Sequence, residues 1–336
     1  MKNIIIFKND RLGDLFHSLN GINKILNEHK DDNITIYLSN YSKNFSFLFN
    51  QTNAQIKYFN YHLSVMEKFK ILMVFCNKSI DKVFILSPKN YFFYLPFLFK
   101  RTRFYAVTII EKNKERPFIF LRNFLYKFRI NNRKNKKIDD SINNIIEDLC
   151  SNNLKKNHQM ININPKIELN FNNLSGNKYC HFHFKKFLYE KKKWSFADVN
   201  SFLKICLKKK YKIFLTSDIE KSEFNKIFKK NFKTINFEER KTISSKINDN
   251  IIYLENIKSI NLFNLIKNAS LVVSPHGTMT VMASYLKVPV IDIFDDTINK
   301  IAFYEYKPDN KYYKFMILKS FSERQLVKIN RLLSDV

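Results

Sequence analysis

The sequence predicts an α/β protein built from two doubly wound parallel sheets, and three observations carry that prediction. Short apolar runs alternate with segments of helical spacing along the chain, the order expected of repeated βαβ units. Glycine occurs only four times in 336 residues, yet Gly13 and Gly277 both fall where an apolar run gives way to a helical pattern. The length, with 45% hydrophobic residues, exceeds one core and suits two domains of about 150 residues.

The first domain is expected over residues 1–160. Asn3-Ile-Ile-Ile-Phe7 is an apolar run of the kind found in a buried parallel strand. The turn Lys8-Asn-Asp-Arg-Leu-Gly-Asp14 follows, and then Leu15, Leu19, Ile22, Ile25 and Leu26 recur at helical spacing. Further strands are predicted at 34–38, 56–59, 83–86 and 104–109, with helices near 43–49, 64–77 and 91–99. The stretch 116–133 interleaves Phe118, Phe120, Phe124 and Phe128 with Arg122, Lys127 and Arg129. It reads as a basic aromatic helix, lying on a membrane surface or packing its aromatic face on the core. The Asn/Lys-rich stretch 152–177, with Pro165 and Gly176, supplies an interdomain linker over 161–177.

The second domain, expected over 178–320, repeats the alternation. Strands are predicted at 179–184, 211–215 and 251–254, and helices at 195–209, 219–230 and 260–267. A strand over 271–273 then turns through Ser274-Pro-His-Gly277 into a helix over 278–286, and a strand over 288–293 completes a βαβ unit. A last helix is expected over 321–336, with Leu326, Ile329, Leu332 and Leu333 on one face.

Two of the strand-to-helix turns are chemically suggestive. Lacking a Cβ, Gly277 can take a positive φ and let a ligand approach the main chain, while the N–H groups of Thr278, Met279 and Thr280 project from the helix start at the positive end of its dipole. Such a place suits a phosphate; the bland alternative is an ordinary turn capped by Ser274. Asp14 stands at the cap or first turn of the first helix, where capping alone would account for a carboxylate. Its location after a strand C-terminus, where open parallel sheets form their ligand crevice, favours a functional role.

Fifty-eight Lys plus Arg against 30 Asp plus Glu give a net charge of +28. That excess combines the residue usage of AT-rich coding with a preference for anionic partners. Cys76, Cys150, Cys180 and Cys206 are widely separated without CxxC spacing, so neither a zinc site nor a disulfide framework is expected, and a reducing cytoplasm fits. No signal-peptide order opens the chain and no apolar run approaches the ~20 residues needed to span a bilayer, so a soluble or peripheral protein is expected.

The segment from Ile4 to Leu19, with its Gly13-Asp14 pair, resembles the opening of glycosyltransferase family 9, the bacterial heptosyltransferases. Tyr179 to Trp194, followed by Lys212-Ile-Phe-Leu-Thr-Ser-Asp218, resembles the start of that family's second domain, and Leu271 to Phe294 its nucleotide-sugar motif. The resemblance spans most of the chain in order and implies a GT-B fold, two Rossmann-like domains facing a cleft. It also implies that Lys192, two residues before Trp194, contacts donor phosphate. The family's Asp-Ser-Gly-Pro-Met-His is replaced here by His276-Gly-Thr-Met-Thr-Val281, a His-Gly pair similar to that of other GT-B transferases; the sugar is left open. Cytoplasmic assembly of cell-surface glycans, lipopolysaccharide among them, on carriers at the inner membrane is the setting the resemblance implies.

Displacing a nucleoside diphosphate from an anomeric carbon needs a base for the acceptor hydroxyl and stabilisation of the leaving pyrophosphate. Asp14 is the expected base, within an acceptor-side loop that includes Asp10, Arg11 and Gly13. The donor phosphates are assigned to Gly277, Thr278, Met279 and Thr280 with Lys192, supported by Thr216, Ser217, Ser274 and His276. Asp295-Asp296 lies outside any recognisable metal motif, so no metal and no other cofactor is expected. The expected partners are a nucleotide-sugar and an anionic glycan or glycolipid acceptor, with possible association at the inner membrane. Two other classes compete. A basic nucleic-acid-binding or RNA-modifying protein draws on the net charge, although the basic residues are dispersed and form no RNA-binding motif. A sugar-nucleotide epimerase or hydrolase on the same fold differs by the acceptor, which the sequence does not reveal.

Overall fold

The computed structural model describes residues 1–111, 114–132, 141–151, 178–186, 196–218, 233–236, 242–243, 250–295 and 310–318, with residues 307, 327 and 331 singly. The expected linker 161–177, the helix expected over 219–230, Lys192 and, apart from 327 and 331, the helix expected over 321–336 fall outside the described residues. The chain divides into two compact units, Met1–Pro165 with Asn299–Pro308, and Lys166–Ile298 with Asp309–Val336. Each is an α/β unit on a mostly parallel sheet.

In the first unit β1 (Asn3–Lys8) leads into α1 (Leu12–Glu28), followed by β2 (Asn33–Ser39) and a 3-10 segment (Asn40–Phe49) where a helix was expected. Next come β3 (Gln55–Phe59), α2 (Val65–Asn77), β4 (Lys82–Ile85), α3 (Asn90–Leu98) and β5 (Arg103–Glu111). The sheet order is β3-β2-β1-β4-β5, all parallel. Ile4, Ile5, Ile6 and Phe7 are all buried, as the unbroken apolar run of a central parallel strand requires. Ser64 and Glu67 form a reciprocal capping box at the start of α2, which satisfies two of the helix-start N–H groups.

The single helix expected over 116–133 does not form. After β6 (Lys114–Arg116) comes one turn of helix, α4 (Ile119–Arg122), and then β7 (Lys127–Asn132), which pairs parallel with β5. The period explains the misreading, since Lys127, Arg129 and Asn131 alternate with Phe128, Ile130 and Asn132 in the two-residue repeat of a strand. A helix with no earlier counterpart, α5 (Ile142–Cys150), packs on α1. Gly21 of α1 permits that approach, because a Cβ there would stand 2.6 Å from Ile146 Cγ2 and 3.2 Å from Cys150 Sγ.

The second unit runs β8 (Tyr179–Phe184), α6 (Phe196–Lys208), β9 (Lys212–Ser217), β10 (Lys233–Asn236), β11 (Thr242–Ile243) and β12 (Ile251–Glu255). It continues through α7 (Ser259–Lys267), β13 (Leu271–Pro275), α8 (Thr278–Tyr285), β14 (Val290–Asp295) and β15 (Tyr313–Leu318). Strands β10, β11 and β15 have no counterpart in the sequence reading. The order β11-β10-β12-β9-β8-β13-β14-β15 places β8 in the middle, as β1 is in the first sheet. Each sheet therefore reverses its winding beside its first strand, between β1 and β4 and between β8 and β13. Open α/β sheets take their ligands at such switch points, beyond the strand C-termini.

Candidate functional site

At the first switch point five side chains converge. Lys8, the last residue of β1, is buried and places Nζ 2.9 Å from Asp10 Oδ2 and 3.3 Å from the Leu86 carbonyl. From the loop after β4, Ser87 donates its hydroxyl to the same Asp10 oxygen at 2.6 Å, and the Ser39 hydroxyl fixes the Asp10 carbonyl at 2.5 Å. Lys89 donates to the carbonyl oxygens of Asn9, at 2.8 Å, and Tyr61. Burial pushes the Lys89 amine down to about 8. For Asp10, burial pulls upward, but the Lys8 charge with the Ser87 hydrogen bond prevails and holds the carboxyl below its usual value. Asp10 is thus an ionised, occupied carboxylate.

Asp14 differs from Asp10. It lies in the first turn of α1, whose N-cap Arg11 contributes no side-chain cap, and the Asp14 carboxyl interacts with the Arg11 backbone N–H. Burial raises its pKa, Lys8 opposes that, and the Asp10 charge adds to the rise. Gly13 sits inside the same first turn. Asp14 is thus a half-buried carboxylate of raised proton affinity beside a fully committed one, a pair whose environments push their pKa values apart.

At the second switch point β13 runs two residues further than expected, so Ser274 is not the cap of α8. It is a buried strand residue whose hydroxyl bonds the Pro275 carbonyl at 2.9 Å. The cap is Gly277, with φ +148° and ψ −152°, a conformation that side chains resist. Thr280 Oγ1 bonds both the Gly277 N–H, at 3.2 Å, and the Gly277 carbonyl, at 2.9 Å. Those contacts use the Thr280 hydroxyl internally, while the backbone N–H groups of Thr278, Met279 and Thr280 are the ones the first helical turn leaves without intrahelical acceptors.

A cation stands at this helix start that the sequence reading missed. Lys185, just past β8, donates to the His276 carbonyl at 2.7 Å, and a Cβ on Gly277 would collide with its Nζ. Burial lowers the Lys185 pKa, countered by the charges of Asp218 and Asp292. His276 is itself held, with Nδ1 2.8 Å from Asp292 Oδ2 and its ring stacked on Phe294 at 4.4 Å between centroids. Asp292, 1% exposed, also accepts from the Tyr313 hydroxyl at 2.8 Å, and its Oδ1 is buried without a hydrogen-bond partner. A carboxylate within the apolar run Val290-Ile-Asp-Ile-Phe294 was the signal for this partner, since a charge is seldom buried unpaired.

Beside α8 opens a pocket of about 400 Å³ lined by His183, Thr216, Ser217, Asp218, Tyr253, Glu255, Asn256 and Met279, among others. It thus gathers Thr216, Ser217 and Met279 of the expected donor set. The Thr216 hydroxyl lies 2.8 Å from both His181 Nε2 and His183 Nδ1, so it links two imidazoles. Burial drives His181 down to about 3 and His183 well below the ordinary imidazole value, so both are neutral. Ser217 Oγ donates to the Phe184 carbonyl at 2.8 Å. These two hydroxyls therefore shape the pocket wall.

No protein-family model and no curated protein matches the sequence. Among solved structures, the Escherichia coli ADP-heptose lipopolysaccharide heptosyltransferase II is similar over 100% of this chain and 99% of its own, with TM-score 0.63 and 13% identity. A family 9 glycosyl transferase from Veillonella parvula gives TM-score 0.64 at 12% identity, over 100% and 98%. The UDP-GlcNAc 2-epimerase of Methanocaldococcus jannaschii gives TM-score 0.55 at 15% identity, over 98% and 92%. The chain has the heptosyltransferase-like GT-B fold, with two Rossmann-like domains.

Proposed function

We propose that the protein is a glycosyltransferase, heptosyltransferase-like, that moves a sugar from a nucleotide-sugar donor to an anionic cell-surface glycan or glycolipid. In this reading the reaction inverts the anomeric centre and needs no metal. The observation that carries it is the Lys185 ammonium at the positive-φ Gly277 cap of α8. A helix start, a half-buried cation and a side-chain-free backbone together suit a pyrophosphate, whose developing charge they would stabilise as the sugar leaves. His276, oriented by Asp292, adds a polar group next to the cap, and the pocket at Met279 takes the remainder of the nucleotide. In the first unit Asp14 serves as base toward the acceptor hydroxyl, with Asp10, Arg11 and Lys89 shaping an anion-tolerant loop. Lys192 keeps its proposed part as a further phosphate contact.

Calorimetry with ADP, UDP and GDP tests this reading. One of them is expected to bind, and binding should weaken in Lys185→Ala; indifference of the folded protein to all three would overturn it. The fold shared with the 2-epimerases supports a second reading, epimerisation of the nucleotide-sugar itself. Incubation with a bound nucleotide-sugar separates the two, because an epimerase converts it without any acceptor.

A further inference from the structure

We propose that the outer side of α2, α3 and α4 docks on an anionic lipid bilayer. These helices cover one side of the first sheet through a shared core that includes Ile71, Phe75, Phe92, Phe93, Leu95 and Leu121. Their opposite sides should then be polar, yet large apolar side chains stand exposed on them. On α2, Val65, Met66, Phe69 and Met73 are exposed, Val65 to 82%, and their spacing sets them opposite Ile71 and Phe75 on the helix. Tyr94, Phe97 and Leu98 do the same on α3, and Phe118, Ile119 and Phe120 on and before α4. Phe97 also packs edge-on against Phe124 at 5.2 Å, tying the α3 and α4 surfaces together. So many large apolar side chains exposed on helices that share one core mark a place where something binds.

Charge identifies what binds. Where α2 and α3 end, a depression of about 900 Å³ opens, lined by Leu98 together with Lys2, Lys78, Lys82, Lys100, Arg101 and Arg103 against Asp81, the one carboxylate among its described lining residues. Asp81 is engaged with the Asn3 backbone N–H at 2.8 Å, Lys82 lies 3.8 Å from Glu28, and Arg103 stacks on Tyr126 at 5.2 Å. Lys78, Lys100 and Arg101 are exposed and have no ion-pair partner among the described residues. Apolar side chains beside unpaired cations match an interface of acyl chains and anionic headgroups. A second copy of the chain fits less well, since a two-fold contact would set these cations against themselves. Nucleic acid would find stacking partners in the aromatic residues but none in Val65, Met66, Met73, Leu98 or Ile119.

Docking here would serve a membrane-borne acceptor and so deepens the transferase reading. Vesicle binding, however, needs neither donor nor sugar transfer, and each can fail without the other. The test is co-flotation of the full chain with vesicles of phosphatidylcholine alone and of phosphatidylcholine with about a third phosphatidylglycerol. Binding is expected only to the anionic vesicles, weakening as salt screens the headgroups. Both Phe69→Ser/Ile119→Ser and Lys100→Glu/Arg101→Glu should reduce it about tenfold or more, with circular dichroism and nucleotide binding unchanged. Equal binding to both vesicle types, no binding to either, vesicle binding displaced by single-stranded RNA, or retention by both folded variants would overturn the proposal.

Discussion

The Lys185 ammonium, immediately after β8, is hydrogen bonded at 2.7 Å to the carbonyl of His276, 91 residues further along the chain. The contact bridges the two strands that flank the switch point of the second sheet, so the cation and the helix start reach one place from neighbouring strands. Removing the charge should weaken diphosphate binding by about 1.5–3 kcal/mol, the usual range for a charge-assisted hydrogen bond, or roughly tenfold to a hundredfold in Kd. Isothermal calorimetry on Lys185→Ala against wild type measures this. Unchanged affinity would detach Lys185 from the donor.

Gly277→Ala is expected to act on the same site by another route. At φ +148° a side chain is strained, at a cost of about 1–3 kcal/mol, and the new methyl group would displace Lys185. Both stability and diphosphate affinity should fall, whereas Lys185→Ala should spare stability, because the charge it removes is a desolvated one. Denaturation midpoints of the two variants distinguish strain from charge.

Much of this was legible in the sequence, and the failures have physical causes. The apolar runs marked nearly every central strand because a strand buried on both sides admits little else, and Gly277 stood out because glycine is so scarce in this chain. Lys185 did not stand out among so many lysines; its only signal was its place after a central strand. Asp292 and the His181/His183 pair were visible as polar residues inside buried runs, but their partners Tyr313 and Thr216 lie on neighbouring strands, beyond the reach of local spacing. The stretch 116–133 failed because aromatic and basic residues interleave there in a way both periods can accommodate.

Gly21→Ala should destabilise the first unit although alanine is the better helix former. Alanine gains about 1 kcal/mol in a helix interior, but its Cβ would stand 2.6 Å from Ile146 Cγ2, and overpacking of this kind costs about 1–3 kcal/mol. The net effect is a loss, and Gly21→Ala combined with Ile146→Val is not expected to relieve it, because valine keeps a methyl group on the same branch. Urea denaturation measures both variants.

The His181–Thr216–His183 chain predicts sensitivity to acid. His181 is held at about 3, against 6.5 when unperturbed, by burial. Between those values the unfolded chain binds a proton that the folded one refuses, so stability falls as pH is lowered through that window. His183, shifted the same way, adds to the slope. His181→Phe should flatten the dependence of the denaturation midpoint on pH below 6.5. Thr216→Val should lower stability at neutral pH by about 1–3 kcal/mol, because it leaves buried ring nitrogens unpaired.

Asp14 and Asp10 allow the strictest comparison, since they flank the start of α1 with opposite shifts. Asp10 has its pKa below 3.8, so it contributes stability at neutral pH that is lost as pH falls through the lowered value. Asp10→Asn leaves the buried Lys8, 4% exposed, without its carboxylate, and should cost about 3 kcal/mol or more. Asp14 has its pKa raised by burial above 3.8, so its ionised form is tolerated at a cost in the fold. Asp14→Asn should leave stability unchanged or slightly higher at neutral pH, and the helix start intact. If Asp14 is the base, the same variant loses about 10²–10⁴ in kcat with KM for the donor nearly unmoved, and the acid limb of the wild-type rate profile reports the raised carboxyl. Measuring turnover and denaturation on both variants tests each role. An Asp14→Asn protein that transfers sugar at close to the wild-type rate would remove Asp14 from the mechanism.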